Sequence, residues 1–218
     1  MKKNIVLFVL FVLPIVAYLF FASGVNNFSK LPTVTPNVPD LPAWKGLDGE
    51  TVSLQGKITI LGFGGGDLMK NRGNVYNLVQ RIYDRYHKFN DLQFVYLCPV
   101  GTEKDAEFIR TQFKVLADTK NFHFIFTTPE EITSYYDGLK LKGELNPDAG
   151  TPNVYIIDKQ KNLRGRKGDD EYKEGYNTFH QSELSNKMLD DFKVILYEYK
   201  AALKKNRNAT KSVLKHEE

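Results

Sequence analysis

A single α/β domain with a central mixed sheet and helices on both faces is what the sequence predicts. Three observations carry the prediction. Short apolar runs of strand character alternate with stripes at helical spacing, the separations suit crossover connections, and the last two strand signals form an antiparallel pair before a closing helix. The chain has 218 residues. About two dozen at the N-terminus are too apolar to be folded surface, leaving roughly 190 for one domain. A content of 42% hydrophobic, 13% aromatic and 26% charged residues supplies a core and excludes collagen-like, disulfide-rich and low-complexity classes.

In chain order, Asp48-Gly49 first signals a turn before the alternating stretch Thr51 to Leu54, and Gly56 separates that stretch from Ile58 to Phe63, which predicts a hairpin or two adjacent strands. From Val75 the apolar positions Leu78, Val79, Ile82, Tyr83, Tyr86 and Phe89 recur at offsets of three and four and predict a helix. Leu92 to Leu97 is the next strand, and Phe108, Ile109, Phe113 and Leu116 suggest a second helix. The aromatic run Phe122 to Phe126 has the density of a buried strand. Thr128-Pro129-Glu130-Glu131 then reads as a helix start, with a capping threonine, proline at the first helical position and a glutamate that reaches back; the helix ends near Asp137-Gly138. Val154 to Asp158, a polar turn over Lys159 to Asn162, and Leu163 onward form the antiparallel pair. Leu184, Met188, Phe192, Ile195, Leu196, Tyr199 and Leu203 mark the closing helix. This is the order of an elaborated thioredoxin-like fold.

The N-terminus predicts the compartment. Lys2 and Lys3 precede an apolar run from Ile5 to Ala22, whose helical length of about 27 Å nearly matches a bilayer core of about 30 Å. Charge before the run leaves the N-terminus in the cytoplasm and exports the chain beyond Ser23. The expectation is a cytoplasmic stub and transmembrane anchor over residues 1–24, a proline-rich tether over 25–41, a thioredoxin-like domain over 42–205 and a disordered polar tail over 206–218. A cleaved signal peptide is the alternative, because Ala22, Ser23 and Gly24 are small residues at the spacing a signal peptidase prefers. Either way the domain is extracytoplasmic, on the periplasmic side of a membrane.

Charge and cysteine content narrow the function. Without Lys2 and Lys3, the 30 basic residues exceed the 26 acidic ones by only two, which is no nucleic-acid footprint. The single cysteine, Cys98, allows no intramolecular disulfide, no CxxC redox pair and no multi-thiolate metal site.

Gly150 to Arg166, GTPNVYIIDKQKNLRGR, resembles the thioredoxin-superfamily stretch in which a proline precedes a strand ending in aspartate, then a turn and another strand. The resemblance implies a cis bond at Thr151-Pro152, facing the site where relatives carry their redox pair. With the tether, GLDGETVSL, GKITILGF and the closing helix, the chain resembles the SCO/SenC family of membrane-anchored copper-delivery proteins over residues 30 to 205. That family carries two cysteines three residues apart after the first central strand and a histidine before the later hairpin. Here the loop is GGGDLMKNRGN, Gly64 to Asn74, without cysteine, and LNPDAGTP before the hairpin holds no histidine. None of the family's copper ligands transfers, so no resident cofactor is expected.

The resulting expectation is a redox-inactive SCO-like module, anchored by its N-terminal helix, that binds or helps assemble a membrane or periplasmic protein. Two alternatives come from other classes: a thiol peroxidase or reductase acting through Cys98, or a copper chaperone with improvised ligands from Cys98, His123 and Met69. Gly64, Gly65, Gly66 and Asp67 form the candidate contact loop. Three consecutive glycines predict mobility there and tolerance of Gly65→Val. Arg164, Arg166 and Lys167, followed by Asp169, Asp170 and Glu171, read as a solvated rim.

Overall fold

The computed structural model describes residues 8, 10–16, 18, 30–167 and 172–214. The expected anchor falls largely outside this set. Residues 10–16 are helical, and among the described residues no helix is long and apolar enough to cross a membrane.

Three parallel strands form the middle of the sheet: β3 (Ile58–Gly64), β4 (Leu92–Pro99) and β5 (Phe122–Thr127), with β3 beside β4 and β4 beside β5. Every residue of β3 and β4 is buried, which is why both read as continuous apolar runs rather than as alternations. On the other side of β3 lies antiparallel β6 (Gly150–Ile157), flanked in turn by β7 (Leu163–Arg164) and β1 (Thr33–Thr35); β10 (Tyr176–Asn177) also pairs with β6. At the far edge β2 (Lys45–Gly46) pairs with β5. A separate two-stranded ribbon joins β8 (Arg166–Lys167) to β9 (Tyr172–Lys173).

Side-chain alternation splits the core into two layers. On one face pack α1, which runs Leu68–Leu78 and continues through a π-helical turn at Val79–Tyr83 to Asp84–Tyr86, then α2 (Glu103–Phe113), and the closing helix. That last helix begins at Gln181–Glu183, passes a π-helical turn at Leu184–Met188 and continues over Leu189–Leu214. On the other face α3 (Pro129–Gly138) lies beside the chain that enters the domain, with Val38, Leu54, Ile132, Tyr135 and Tyr136 buried together. The α3 cap is the expected capping box: the Glu131 amide donates to Thr128 Oγ1 at 3.3 Å and the Glu131 carboxylate returns to accept from the Thr128 amide. The thioredoxin-like α/β class and its mixed, helix-flanked sheet stand as expected.

Several boundaries differ. Residues 30–41 are part of the domain rather than a tether, since β1 pairs with β7, Leu31 and Val38 are buried, and the Val38 amide donates to the Lys161 carbonyl at 2.7 Å. Proline content here marks an extended packed segment, whose φ it presets, and not a solvated linker. Residues 206–214 continue the last helix instead of forming a disordered tail. Thr51 to Leu54 is not a strand: the Leu54 amide donates to Asp40 Oδ1 at 2.7 Å, so a side chain satisfies the group a ladder would have used.

Candidate functional site

The C-terminal ends of parallel strands, with the loops that leave them, are where α/β sheets present ligands. Here that edge joins the loop after β3, the loop after β4 and the turn before β6.

The glycine loop is braced, which corrects the expectation of mobility. Gly64 closes β3 and pairs with Gly150 across the sheet. Gly65 adopts φ +73°, and the Gly66 amide donates to the Asp148 carbonyl at 3.0 Å. A Cβ on Gly65 would stand 2.6 Å from Asp148 Oδ2 and 3.1 Å from Gly150 Cα, and one on Gly150 would stand 2.8 Å from Gly65 Cα. The two glycines thus meet backbone to backbone. Opposite them, the Ala149 amide donates to the Asn146 carbonyl at 2.9 Å and the Asn146 amide to the Gly150 carbonyl at 2.8 Å, with Ala149 itself at φ +60°. These bonds offset the entropy of fixing three glycines. Asp67, exposed beside them, caps α1 by accepting from the Lys70 amide at 3.2 Å.

Thr151 and Pro152 lie at this edge, but no cis peptide bond occurs among the described residues, so the expected cis bond is corrected to trans. The local register supplies the reason. Gly62 pairs with Val154 while Phe63 pairs with Thr151, so Pro152 and Asn153 bulge from the ladder against β3. A bulge accommodates a residue without an N–H in the ordinary trans form, which an X–Pro bond favours. The Pro152 carbonyl accepts from both the amide and the hydroxyl of Thr178, at 2.9 and 2.7 Å. Those bonds place Phe179, 69% exposed, next to Pro152, and Val100, 60% exposed, succeeds β4 along the same rim.

Cys98 lies directly beneath the glycine loop. Its Sγ would be 2.8 Å from a Cβ on Gly64, with the Leu68 side chain closing the same space, and the residue is fully buried. Burial pushes the thiol well above its ordinary range, and the charge of Glu103 adds to that; a hydrogen bond with the Gly64 backbone opposes it only partly. Peroxidatic chemistry needs an accessible thiolate beside a cation; this thiol is sealed from solvent, and the charge acting on it is that of Glu103.

The improvised copper ligands do not meet. His123 pairs with Val95 and Phe126 with Cys98, so His123 and Cys98 stand about three residues, or about 10 Å, apart along the strands. They also project to opposite faces, since Val95 belongs to the α3 layer and Cys98 to the α1 layer. His123 instead lies 3.4 Å from Glu50 Oε1; burial pulls its pKa down, and Glu50 partly restores it. Met69 packs half-buried on the α1 layer. No three His, Cys, Asp or Glu side chains converge in metal-binding geometry among the described residues.

The supposed solvated rim is the largest departure. Arg164 is 8% exposed and bridges Asp158 at 2.8 Å and Glu198 at 2.9 Å, while its guanidinium also donates to the Leu31 carbonyl. The Leu31 amide donates to Glu198 Oε1 at 2.9 Å, so one buried cluster ties the entering chain to the closing helix. Arg166 pairs with Asp191 at 2.9 Å, and Tyr176 donates its hydroxyl to the same carboxylate at 2.8 Å. Asp169, Asp170 and Glu171 lie outside the described residues. Arginines at alternate positions, Arg164 ending β7 and Arg166 opening β8, after an aspartate that closes the preceding apolar run were the available signal for this cluster.

A central mixed sheet with this order, helices on both faces and a glycine turn packed on the Asp148–Pro152 turn define a thioredoxin-like fold. No family model and no curated protein matches the sequence. Among solved structures, the chain is similar to BsSco, a member of the Sco family of cytochrome c oxidase assembly proteins, with a TM-score of 0.53 at 12% identity over 76% of this chain and 98% of that one. It is also similar to a putative protein disulfide isomerase from Bacteroides thetaiotaomicron, with a TM-score of 0.50 at 14% identity over 77% and 94%. At such identities the likeness establishes the fold.

Proposed function

We propose that this chain is a membrane-anchored, extracytoplasmic module of Sco-like form that binds a partner through the rim around Gly65 and Pro152 and carries no dithiol chemistry. One observation carries the proposal. The edge where the fold presents ligands is braced and closed by a glycine–glycine contact, its thiol is sealed below, and exposed Val100 and Phe179 flank it. A rigid scaffold with apolar side chains left in solvent at one rim suits protein contact, because little ordering entropy remains to be lost on binding. The expected partner is a membrane or periplasmic protein, and the expected role is help with assembly of a membrane complex. BsSco, described as belonging to a family of assembly proteins, gives that role its direction. The apolar run from Ile5 to Ala22 after two lysines supports the anchor and the exported placement.

The test is affinity capture of the tagged full chain from solubilised membranes, comparing wild type with Val100→Asp and Phe179→Asp. Both side chains are exposed, so the variants should melt with wild type while recovery of the partner falls at least about tenfold. An unchanged partner set with both variants moves the contact elsewhere. Peroxide consumption by wild type that disappears in Cys98→Ser sinks the non-enzymatic assignment.

A further inference from the structure

The closing helix is longer than the domain needs. Over the residues whose burial is described, which end at Leu203, the last buried one is Leu196 and 200–203 are exposed, yet the helix continues to Leu214. From Glu198 to Leu214 this is about 24 Å of helix. Between Tyr199 and Leu214 the sequence holds Lys200, Lys204, Lys205, Arg207 and Lys211 and no acidic residue. Segments this one-sided in charge often serve as interaction elements.

Its position selects the partner. Leu31 is fastened to Glu198 at the root of the projection, through its amide directly and through its carbonyl by way of Arg164. One residue earlier, Lys30 lines the same small cavity, about 230 Å³, as Tyr199 and Ala202. The entering chain and the departing helix therefore leave the domain side by side. Only the eight residues between Ala22 and Leu31 separate the end of the apolar run from that point, a reach of about 30 Å at full extension. A bilayer holding the apolar run must then lie within reach of the cationic helix.

We propose that Tyr199–Leu214 is a second membrane contact, a cationic helix that docks on the anionic phospholipid headgroups of the leaflet in which the N-terminal segment is held. The inference rests on the membrane-anchored placement proposed above. Five cations near an anionic surface, each strengthening association about fivefold, exceed what a single tethered contact needs, because the anchor already confines the helix near the surface. Docking there fixes the orientation of the domain and leaves the rim around Gly65, at the opposite ends of the strands from the Asp158–Asn162 turn, turned away from the bilayer.

The experiment uses the full chain with Ser212→Cys carrying a fluorescent label, since buried Cys98 stays unmodified. The chain is reconstituted in nanodiscs of phosphatidylcholine alone or containing phosphatidylglycerol, and quenching by acrylamide reports access to residue 212. Access should fall at least about fivefold on the phosphatidylglycerol discs only, recover at raised salt, and stay high in Lys204→Glu/Lys205→Glu/Lys211→Glu. Equal access on both discs overturns the proposal and leaves an acidic protein as the occupant. Equal protection on both also overturns it, because headgroup charge then plays no part. Failure to enter discs of either composition counts against the anchor instead, and the same label read on free chain with added phosphatidylglycerol vesicles still decides the docking.

Discussion

Gly65→Val isolates the contact on which the candidate site depends. The native φ of +73° is open to glycine and strained for a β-branched residue, a cost of about 2 kcal/mol. The new Cβ would stand 2.6 Å from Asp148 Oδ2 and 3.1 Å from Gly150 Cα. Asp148 is the end of a side chain and can swing aside, but in moving it gives up its hydrogen bond to the Gly150 amide, about 1 kcal/mol. Gly150 is backbone in β6 and cannot move without disturbing the pairing of Gly64 with Gly150. The sum is about 3 kcal/mol, which for a domain near 190 residues lowers Tm by about 6–12 °C.

Gly66→Val is the matched control. Its φ is not positive and the nearest atom to a Cβ is 3.8 Å away, so the change should stay within about 0.5 kcal/mol. Thermal unfolding of the full chain in detergent, monitored by circular dichroism and checked by urea midpoints, measures both. If the two variants melt together near wild type, the loop is not braced against the Asp148–Gly150 turn. The sequence expectation of a mobile, tolerant loop then returns.

Arg164→Met should cost about 3 kcal/mol, because it strands the buried Asp158 carboxylate and frees Leu31 from the closing helix; a change below about 0.5 kcal/mol refutes the structural role. Cys98 should resist thiol reagents in the native protein by a factor of at least about 10³ and react with one equivalent in denaturant, and stoichiometric labelling under native conditions refutes its burial. His123 should make stability depend on pH. Burial depresses its folded-state pKa, so the unfolded chain binds the proton more readily. The stabilisation from neutral His123 is complete above about pH 6.5 and declines as pH falls toward the folded value. His123→Gln should flatten the urea midpoint between about pH 7 and pH 5, and an unchanged slope assigns the dependence to other groups.

Legibility in the sequence tracked the range of the determining interaction. Ile58 to Phe63 and Leu92 to Leu97 were plain because strands buried on both faces must be apolar throughout. The start of α3 was plain because a capping box is written within four residues. Leu31, Val38 and Arg164 were misread because what buries them is far away in the chain: Glu198 and the Leu31 carbonyl hold Arg164, and the Lys161 carbonyl holds Val38. A local scan sees prolines and alternating charges there, and both patterns also describe solvated chain. The glycine loop failed for the same reason in a sharper form. Three glycines in sequence measure the freedom the chain would have alone, and only the opposing turn, some 80 residues later, shows that Gly65 and Gly150 are small because their backbones touch. The same residues that predicted a mobile loop thus form a closely fitted contact at the edge, and a partner binding there would have little backbone left to order.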